Sequence, residues 1–377
     1  MNRTLGIWLD ALRFAAAMAV VLCHARLQSI GPGRLADPTE DFFVRLVGGM
    51  AHDAVMIFFV ISDFLVGGKL RHAGRPGFLK DYMVDRATRI YVVALPVLLL
   101  SYLAMSGQRW LFGHAVRLNP GVCESGLADL AGALVMAHKG FGARYCFNSP
   151  IWSLVYEVFY YVFFCLLALA WARRGSAAGR WAALGAVVVG VYGYFATGPL
   201  YPLATLWLLG AAAAQAEPLK GRGLAITLFV LALLFGQTLA REGDAYREAA
   251  VALATAGSIL WLRRRDEWRI PGWIALGASG GAAFSYSLYL AHAPALNFAR
   301  AIANEAGVEL GTMAVNGTTL GFWLLFTLIG LASGILSWWL FERHTLALRA
   351  AAKRLLNGRA EPVPEPVQAP LEERAAG

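Results

Sequence analysis

Charged residues are scarce in this 377-residue sequence, at 15% of the chain, against about 25% in ordinary soluble domains. Cysteine is scarce as well, with four residues, which excludes a small disulfide-dense scaffold. We find no glycine-rich phosphate-binding loop, no internal repeat and no set of Cys, His, Asp and Glu at metal-ligand spacing. A soluble globular class, a nucleotide-binding domain and a metal site are therefore not expected.

Long apolar runs dominate the sequence instead. Hydrophobic residues make up 58% of the chain and the mean hydropathy is +0.55. Because a hydrocarbon core of about 30 Å needs roughly 20 apolar residues per helix, such runs predict an all-α membrane protein with about ten transmembrane helices. The predicted spans are 5–25, 50–67, 90–107, 150–171, 181–197, 200–216, 224–240, 247–262, 276–297 and 317–341.

The basic residues lie unevenly on the two sides of these spans. One side carries 22 Lys and Arg and the other carries 10, so the positive-inside rule predicts that both termini are cytoplasmic. The same rule explains the net charge of +9 without a nucleic-acid partner, for which a basic face on a soluble module would be needed. The first span is expected to stay uncleaved, because charged residues interrupt it.

The last part of the chain differs in composition from the rest. We expect 1–350 to form the transmembrane domain and 351–377 to form a disordered cytoplasmic tail, since 357–377 is rich in Pro, Glu and Ala. In the long loop that the charge count places outside, Cys123 and Cys146 are compatible either with a disulfide or with two free thiols. A short interfacial helix is expected over 127–137.

Polar residues inside apolar spans are costly and usually functional. In "LDALRFAAAMAVVLCHARL", Asp10, Arg13 and His24 share one helix face, with Arg13 and His24 about 16 Å apart along the axis. A structural Asp–Arg pair and an interfacial His are the alternative interpretation. The sequence places Arg13 in the cytoplasmic half of the helix and His24 at its outer end.

Four further blocks carry candidate residues. Ser62 and Asp63 interrupt the second span, and the cytoplasmic loop after it ends in Arg86 and Arg89, which can point at one anionic group. The alternative for these arginines is ordinary cytoplasmic anchoring. The other blocks are "SPIWSLVYEVFYY" with Glu157 and Tyr161 one turn apart, "FSYSLYLAHAPAL" with His292, and "WWLFERHTLALR" with Glu342.

In this order the blocks resemble the acyltransferase 3 family of bacterial membrane O-acyltransferases. The opening D-x-L-R…H signature appears as Asp10, Leu12, Arg13 and His24. The other family patterns match Phe58, Phe59, Ser62 and Phe64; Arg86, Arg89, Ile90 and Tyr91; Trp152, Ser153, Leu154, Glu157 and Tyr161; 285–290 with His292 and Pro294; and Glu342. The resemblance covers about 5–350, and it departs from the family at Met56, at Asp63, which replaces a usual Gly, and at His344, which replaces a Pro.

The resemblance implies transfer of an acyl group, first of all acetyl, from cytoplasmic acyl-CoA to a hydroxyl of an extracytoplasmic carbohydrate at a bacterial inner membrane. It implies catalytic roles for His24, Arg13, Asp10 and Glu157, with His24 as the base or as a transient acyl carrier. Donor binding is expected from Arg86, Arg89, Ser62 and Tyr91. Acceptor binding is expected from Asp63, Trp152, Tyr161, His292 and Glu342, and Asp63 is also expected to pair with an Arg or to reshape the acceptor route.

A transporter or flippase is the competing class, because intramembrane His, Arg and Glu also form proton and substrate pathways. Such proteins often carry inverted repeats and paired broken helices. We find neither feature in this sequence. The acyltransferase interpretation is therefore preferred.

Overall fold

A computed structural model describes residues 2–31, 37–38, 40–42, 50–116, 124–137, 145–197, 201–215, 245–263 and 269–357. The secondary-structure elements in these ranges are α-helices and short 3₁₀ turns. The α-helices are α1 (Arg3–Ser29), α2 (Met50–Leu70), α3 (Phe78–Phe112), α4 (Leu127–Leu134), α5 (Ile151–Ala172), α6 (Ala177–Thr197), α7 (Tyr201–Gln215), α8 (Ala245–Leu262), α9 (Gly272–Glu305), α10 (Gly317–Leu340) and α11 (Thr345–Asn357). Short 3₁₀ turns cover Cys146–Asn148 and Glu342–His344.

Five candidate membrane spans stand out among the described helices by length and apolar composition. They are Arg3–Ser29, Met50–Leu70, Phe78–Phe112, Ile151–Ala172 and Gly317–Leu356. The last of these ranges contains α10, the 3₁₀ turn after it and nearly all of α11. Helix α9 has 34 residues, but its Gly, Ser and Tyr residues make it less apolar. The protein is thus an all-helical, multi-pass membrane protein, while the number of about ten spans and the cytoplasmic termini stay predictions. The predicted span 224–240 lies outside the described residues.

Helix α1 occupies the centre of the bundle. It packs against α2, α9 and α10, and its inner residues Leu9, Ala17 and Val21 are almost completely buried. The Asn2 side chain begins the helix by accepting a hydrogen bond from the Leu5 amide. The polar residues of the opening motif are therefore carried by a helix that others surround.

Helix α3 is much longer than the predicted span 90–107. It has 35 residues and so a length of about 52 Å at 1.5 Å per residue, well beyond a hydrocarbon core of about 30 Å. The segment with Arg86 and Arg89, expected to be a loop that begins a helix, continues as the first turns of α3. Both arginines are consequently held on a rigid element.

The C-terminal segment is also more ordered than predicted. Helix α11 runs to Asn357 and packs against α3, so 351–357, expected to be disordered, is helical. The packing of α11 on α3 supplies the tertiary contacts that a short isolated helix lacks. Residues 358–377 lie outside the described residues.

The cysteines divide as their surroundings suggest. Cys23 and Cys165 are buried thiols, whereas Cys146 is disulfide-bonded. The alternative of a free thiol at Cys146 is therefore wrong. Position 123 lies outside the described residues.

Candidate active site

A cavity of about 380 Å³ opens between α1, α2, α3, α5 and α9 and is bordered by α11. This volume falls within the range of small-molecule sites. Apolar side chains of α2, such as Val55 and Phe58, form much of one wall. The polar residues that line it are Arg13, Ser62, Lys69, Arg86, Arg89, Ser153, Glu157, Tyr161, Ser285, Tyr286, Tyr289 and Arg349.

Ser62, Glu157 and Tyr161 form one hydrogen-bonded cluster in the cavity wall. The Ser62 hydroxyl donates to Glu157 Oε1 at 2.8 Å and lies 2.7 Å from Tyr161 Oη. Glu157 and Tyr161 meet because they are four residues apart on α5, and the Tyr161 hydroxyl also donates to Glu157 Oε1. The structure thus brings together candidate residues from two blocks of the sequence, Ser62 from one and Glu157 and Tyr161 from the other.

Arg13 faces the same cavity from α1. Its guanidinium lies within electrostatic range of Asp10, Glu157, Tyr161 and Arg89. Asp10 is half-buried one turn before it on the same helix. The opening motif therefore contributes a cation to a cavity that also contains the Glu157 carboxylate.

The two arginines of α3 have different surroundings. The Arg86 guanidinium lies 5.4 Å from the Tyr161 ring centroid, and its buried Nε has no hydrogen-bond partner among the described residues. Arg89 Nη1 donates to Glu342 Oε1 at 2.7 Å, and its guanidinium lies over the Tyr286 ring. Arg86 is therefore better placed than Arg89 to bind an anion.

Glu342 holds the Arg89 side chain in place through an ion pair. Its Oε2 accepts hydrogen bonds from the Ser287 amide at 3.0 Å and the Ser287 hydroxyl at 2.7 Å. The Glu342 side chain is almost fully buried. Glu342 is not one of the described residues that line the cavity. The structure thus gives Glu342 protein partners from α3 and α9.

Sequence analysis assigned no ligand-binding role to Lys69 and Arg349, which line the cavity beside Arg86. Both approach Asp85, at 3.5 Å from Lys69 Nζ and 3.7 Å from Arg349 Nε, and Lys353 Nζ lies 2.9 Å from the same carboxylate. In the sequence these basic residues indicated only topology. The acidic residue next to Arg86 was the signal that could have identified this charged network.

His24 and His292 form a pair beyond the cavity. The Nδ1 atom of His24 lies 2.7 Å from Nε2 of His292, and the two ring centroids are 5.0 Å apart. Neither His lines the cavity, but Tyr289 does, and its ring centroid is 6.3 Å from that of His292. The cavity therefore reaches to within one side chain of the His pair.

No arginine pairs with Asp63 in the described part of the chain, and a role of Asp63 in the acceptor route stays a prediction. It is completely buried, and its Oδ2 accepts a hydrogen bond from the Ala211 amide at 2.5 Å. Gly210 lets α7 approach this part of α2, because a Cβ there would meet the backbone of Phe64. The buried acid joins α2 to α7 and is not among the residues that line the cavity.

Two other predicted binding residues lie outside the cavity lining. Tyr91 is half-buried on α3. The Trp152 ring is stacked on His52, with centroids 5.6 Å apart, and its edge meets Tyr156. His52 in turn pairs with Glu248 at 2.6 Å, so Trp152 belongs to a cluster at the beginning of α2 and α5.

The helices and the cavity define a class of protein. It is a multi-pass membrane protein whose cavity combines the hydrogen-bonded Glu157 carboxylate with several cations. A protein-family model described as an acyltransferase domain matches residues 7–342. The chain therefore belongs to the acyltransferase 3 family and is a membrane acyltransferase. Neither a curated protein nor a solved structure matches it significantly.

Proposed function

We propose that this acyltransferase takes an acyl group, acetyl first of all, from cytoplasmic acyl-CoA and transfers it to a hydroxyl of an extracytoplasmic carbohydrate. The observation that carries the proposal is that one continuous cavity begins among cations and extends toward the His pair. Lys69 and Val55, both in its wall, are 14 residues apart on α2 and so about 21 Å apart along the helix axis. A long, narrow cavity of this kind suits the pantetheine arm.

The cationic end of the cavity would bind the donor phosphates. Arg86, Lys69 and Arg349 meet there, and guanidinium groups bind phosphate in bidentate geometry. Arg89 would add positive charge from its fixed position beside Glu342. With both termini inside, as the distribution of Lys and Arg predicts, this end faces the cytoplasm, where acyl-CoA is found.

The residues in the middle of the cavity would line the path of the donor. Arg13 would lie beside the pantetheine arm as it passes along α1, about 16 Å along the helix axis from His24. Glu157 would orient the reacting groups through Ser62 and Tyr161. The intact thioester would pass Tyr289 to reach His24, the proposed base for the acceptor hydroxyl.

The acceptor would approach from the opposite end. Trp152, with His52 and Glu248 beside it, supplies an aromatic surface and hydrogen-bonding groups near the outer ends of α2 and α5. These are the side-chain types that a carbohydrate can use. We therefore propose that the acceptor route begins at this cluster.

The test is transfer of label from radiolabelled acetyl-CoA in membranes containing the wild-type protein, His24→Ala or His114→Ala. His114 is the matched control, because it lies at the end of α3 and contacts the nearby Phe112 carbonyl. We expect label in the glycan fraction with the wild-type protein and His114→Ala, and none with His24→Ala.

Transfer by His24→Ala at the wild-type rate would remove His24 from the chemistry. Absence of label with acetyl-CoA would first test the donor, using longer acyl-CoAs. If no donor gave transfer while glycan still crossed the membrane, the transporter alternative would be favoured.

A further inference from the structure

His292 has protein partners at both ring nitrogens. It is completely buried in α9, and its Nδ1 lies 2.8 Å from the Leu288 carbonyl oxygen one turn earlier. Its Nε2 lies 2.7 Å from Nδ1 of His24 on α1. A side chain engaged at both nitrogens has no remaining atom with which to hydrogen-bond a substrate.

The carbonyl fixes where the protons lie. Because a carbonyl oxygen only accepts hydrogen bonds, Nδ1 of His292 must carry the proton, and Nε2 of the neutral ring then has a lone pair. His24 must donate its Nδ1–H to that lone pair. The remaining nitrogen of neutral His24, Nε2, is therefore the unprotonated one.

We propose that His292 is a positioning residue that fixes the tautomer and ring orientation of His24, leaving His24 Nε2 as the base. This inference rests on the proposed function, since it concerns the same acyl transfer. It assigns His292 a role in the reaction without contact with the acceptor or the donor.

Protons and electrons balance in the resulting step. His24 Nε2 takes the proton of the acceptor hydroxyl while the hydroxyl oxygen forms a bond to the thioester carbonyl carbon. The C–S bond then breaks, the acyl group stays on the acceptor oxygen, and the thiolate takes the proton back from His24. Throughout, the Nδ1–H of His24 points at His292, whose lone pair stabilises the transient imidazolium.

The neighbouring contacts hold this geometry and also provide a control. One turn beyond His24, the Gln28 amide donates to Asn297 Oδ1 at 2.9 Å, again joining α1 to α9. This second contact is buried and links the same two helices. Asn297 thus matches His292 in structural setting, while its hydrogen bond goes to Gln28 rather than to His24.

The first experiment compares full-length His292→Gln, His292→Phe and Asn297→Leu in membranes, with labelled acetyl-CoA and the endogenous glycan. Gln offers an acceptor oxygen near the position of Nε2, whereas Phe keeps a ring without one. We expect His292→Phe to lower the turnover number on the order of 10²-fold, with an unchanged KM for acetyl-CoA. His292→Gln should recover most of this loss, and Asn297→Leu should lower the melting temperature while turnover stays within about threefold of wild type.

The second experiment reads the tautomer directly by ¹⁵N NMR of histidine-labelled protein, with the His24 signals assigned by their loss in His24→Ala. Wild type should show His24 protonated at Nδ1, and His292→Phe should show a mixture of tautomers. Equal activity of wild type and His292→Phe, equal loss in His292→Gln and His292→Phe, or an unchanged His24 tautomer would each overturn the proposal. If the wild-type protein transferred no acyl group from acetyl-CoA or from longer acyl-CoAs, the proposed function would fail, while the NMR result would still decide the pairing.

Discussion

Glu157 accepts hydrogen bonds from both Ser62 and Tyr161 in the cavity wall. We expect Glu157→Gln to lower transfer on the order of 10²-fold, because the amide keeps the size of the side chain but removes the negative charge beside Arg13. The measurement is the initial rate of label transfer at saturating acetyl-CoA. Tyr161→Phe, which removes one hydroxyl from the same cluster, should cost severalfold less; a larger loss in Tyr161→Phe than in Glu157→Gln would contradict this ranking.

Arg86 is the arginine of α3 that is better placed for an anion. Arg86→Ala should raise the apparent KM for acetyl-CoA about tenfold or more, because a charge-assisted hydrogen bond to phosphate is lost. Arg75→Ala is the control, since Arg75 is exposed in the turn between α2 and α3. Equal KM values in the two variants would show that phosphate binds elsewhere.

The residue types in the sequence indicated which side chains belong to the cavity better than they indicated which side chains pair with one another. The motif spacing on α5 predicts that Glu157 and Tyr161 share a face, and the structure adds Ser62 from α2. The three-residue spacing of Arg86 and Arg89 on α3 predicts that both can bind one anion. In the structure Arg89 is instead held by Glu342, 253 residues later in the chain. Contacts across such distances depend on helix packing, which a local pattern does not contain.

At the scale of the helices, α10 fits against α9 through a glycine. A Cβ at Gly334 would lie 2.7 Å from the Leu288 Cα, whereas Gly321, on the same helix, has nothing within 4 Å among the described residues. Gly334→Ala should therefore destabilise the protein by about 1–3 kcal/mol through overpacking. It should also displace the Leu288 carbonyl on which His292 depends.

The measurement for this prediction is the melting temperature in detergent together with the transfer rate. Gly321→Ala serves as the control and should melt at or slightly above the wild-type temperature, because alanine favours a helix more than glycine does. A Gly334→Ala protein as stable and active as wild type would show that α9 and α10 can separate without consequence.

The helices themselves were predicted with mixed success, for physical reasons. The span 150–171 agrees with Ile151–Ala172, because an apolar run bounded by Pro150 and Arg173 leaves little freedom. The spans at 90–107 and at the C-terminus underestimated helices α3 and α11, since amphipathic or charged turns become helical when they pack together. The partner of Asp63 could not be predicted, because it is a backbone amide of α7 and every residue type except proline carries such an amide.

For the whole molecule, the distribution of charge predicts which ends of the helices face the cytoplasm. We expect a cysteine introduced by Arg75→Cys to react with an impermeant maleimide only in inverted vesicles, and one introduced by Leu127→Cys only in right-side-out vesicles. Leu127 is 73% exposed at the start of α4, whereas the native thiols of Cys23 and Cys165 are buried. Labelling of both positions from one side would refute the predicted topology.

The Asp85 network has a consequence for how the enzyme would respond to its donor. Lys69, Arg349 and Lys353 all approach this one carboxylate, and two of them also line the proposed phosphate-binding end of the cavity. Under the proposed function, Asp85 is an internal counter-anion that an arriving phosphate must displace. Donor binding and the docking of α11 on α3 are then thermodynamically linked, because an Arg349 side chain that turns toward a phosphate leaves Asp85, to which it and Lys353 join α11.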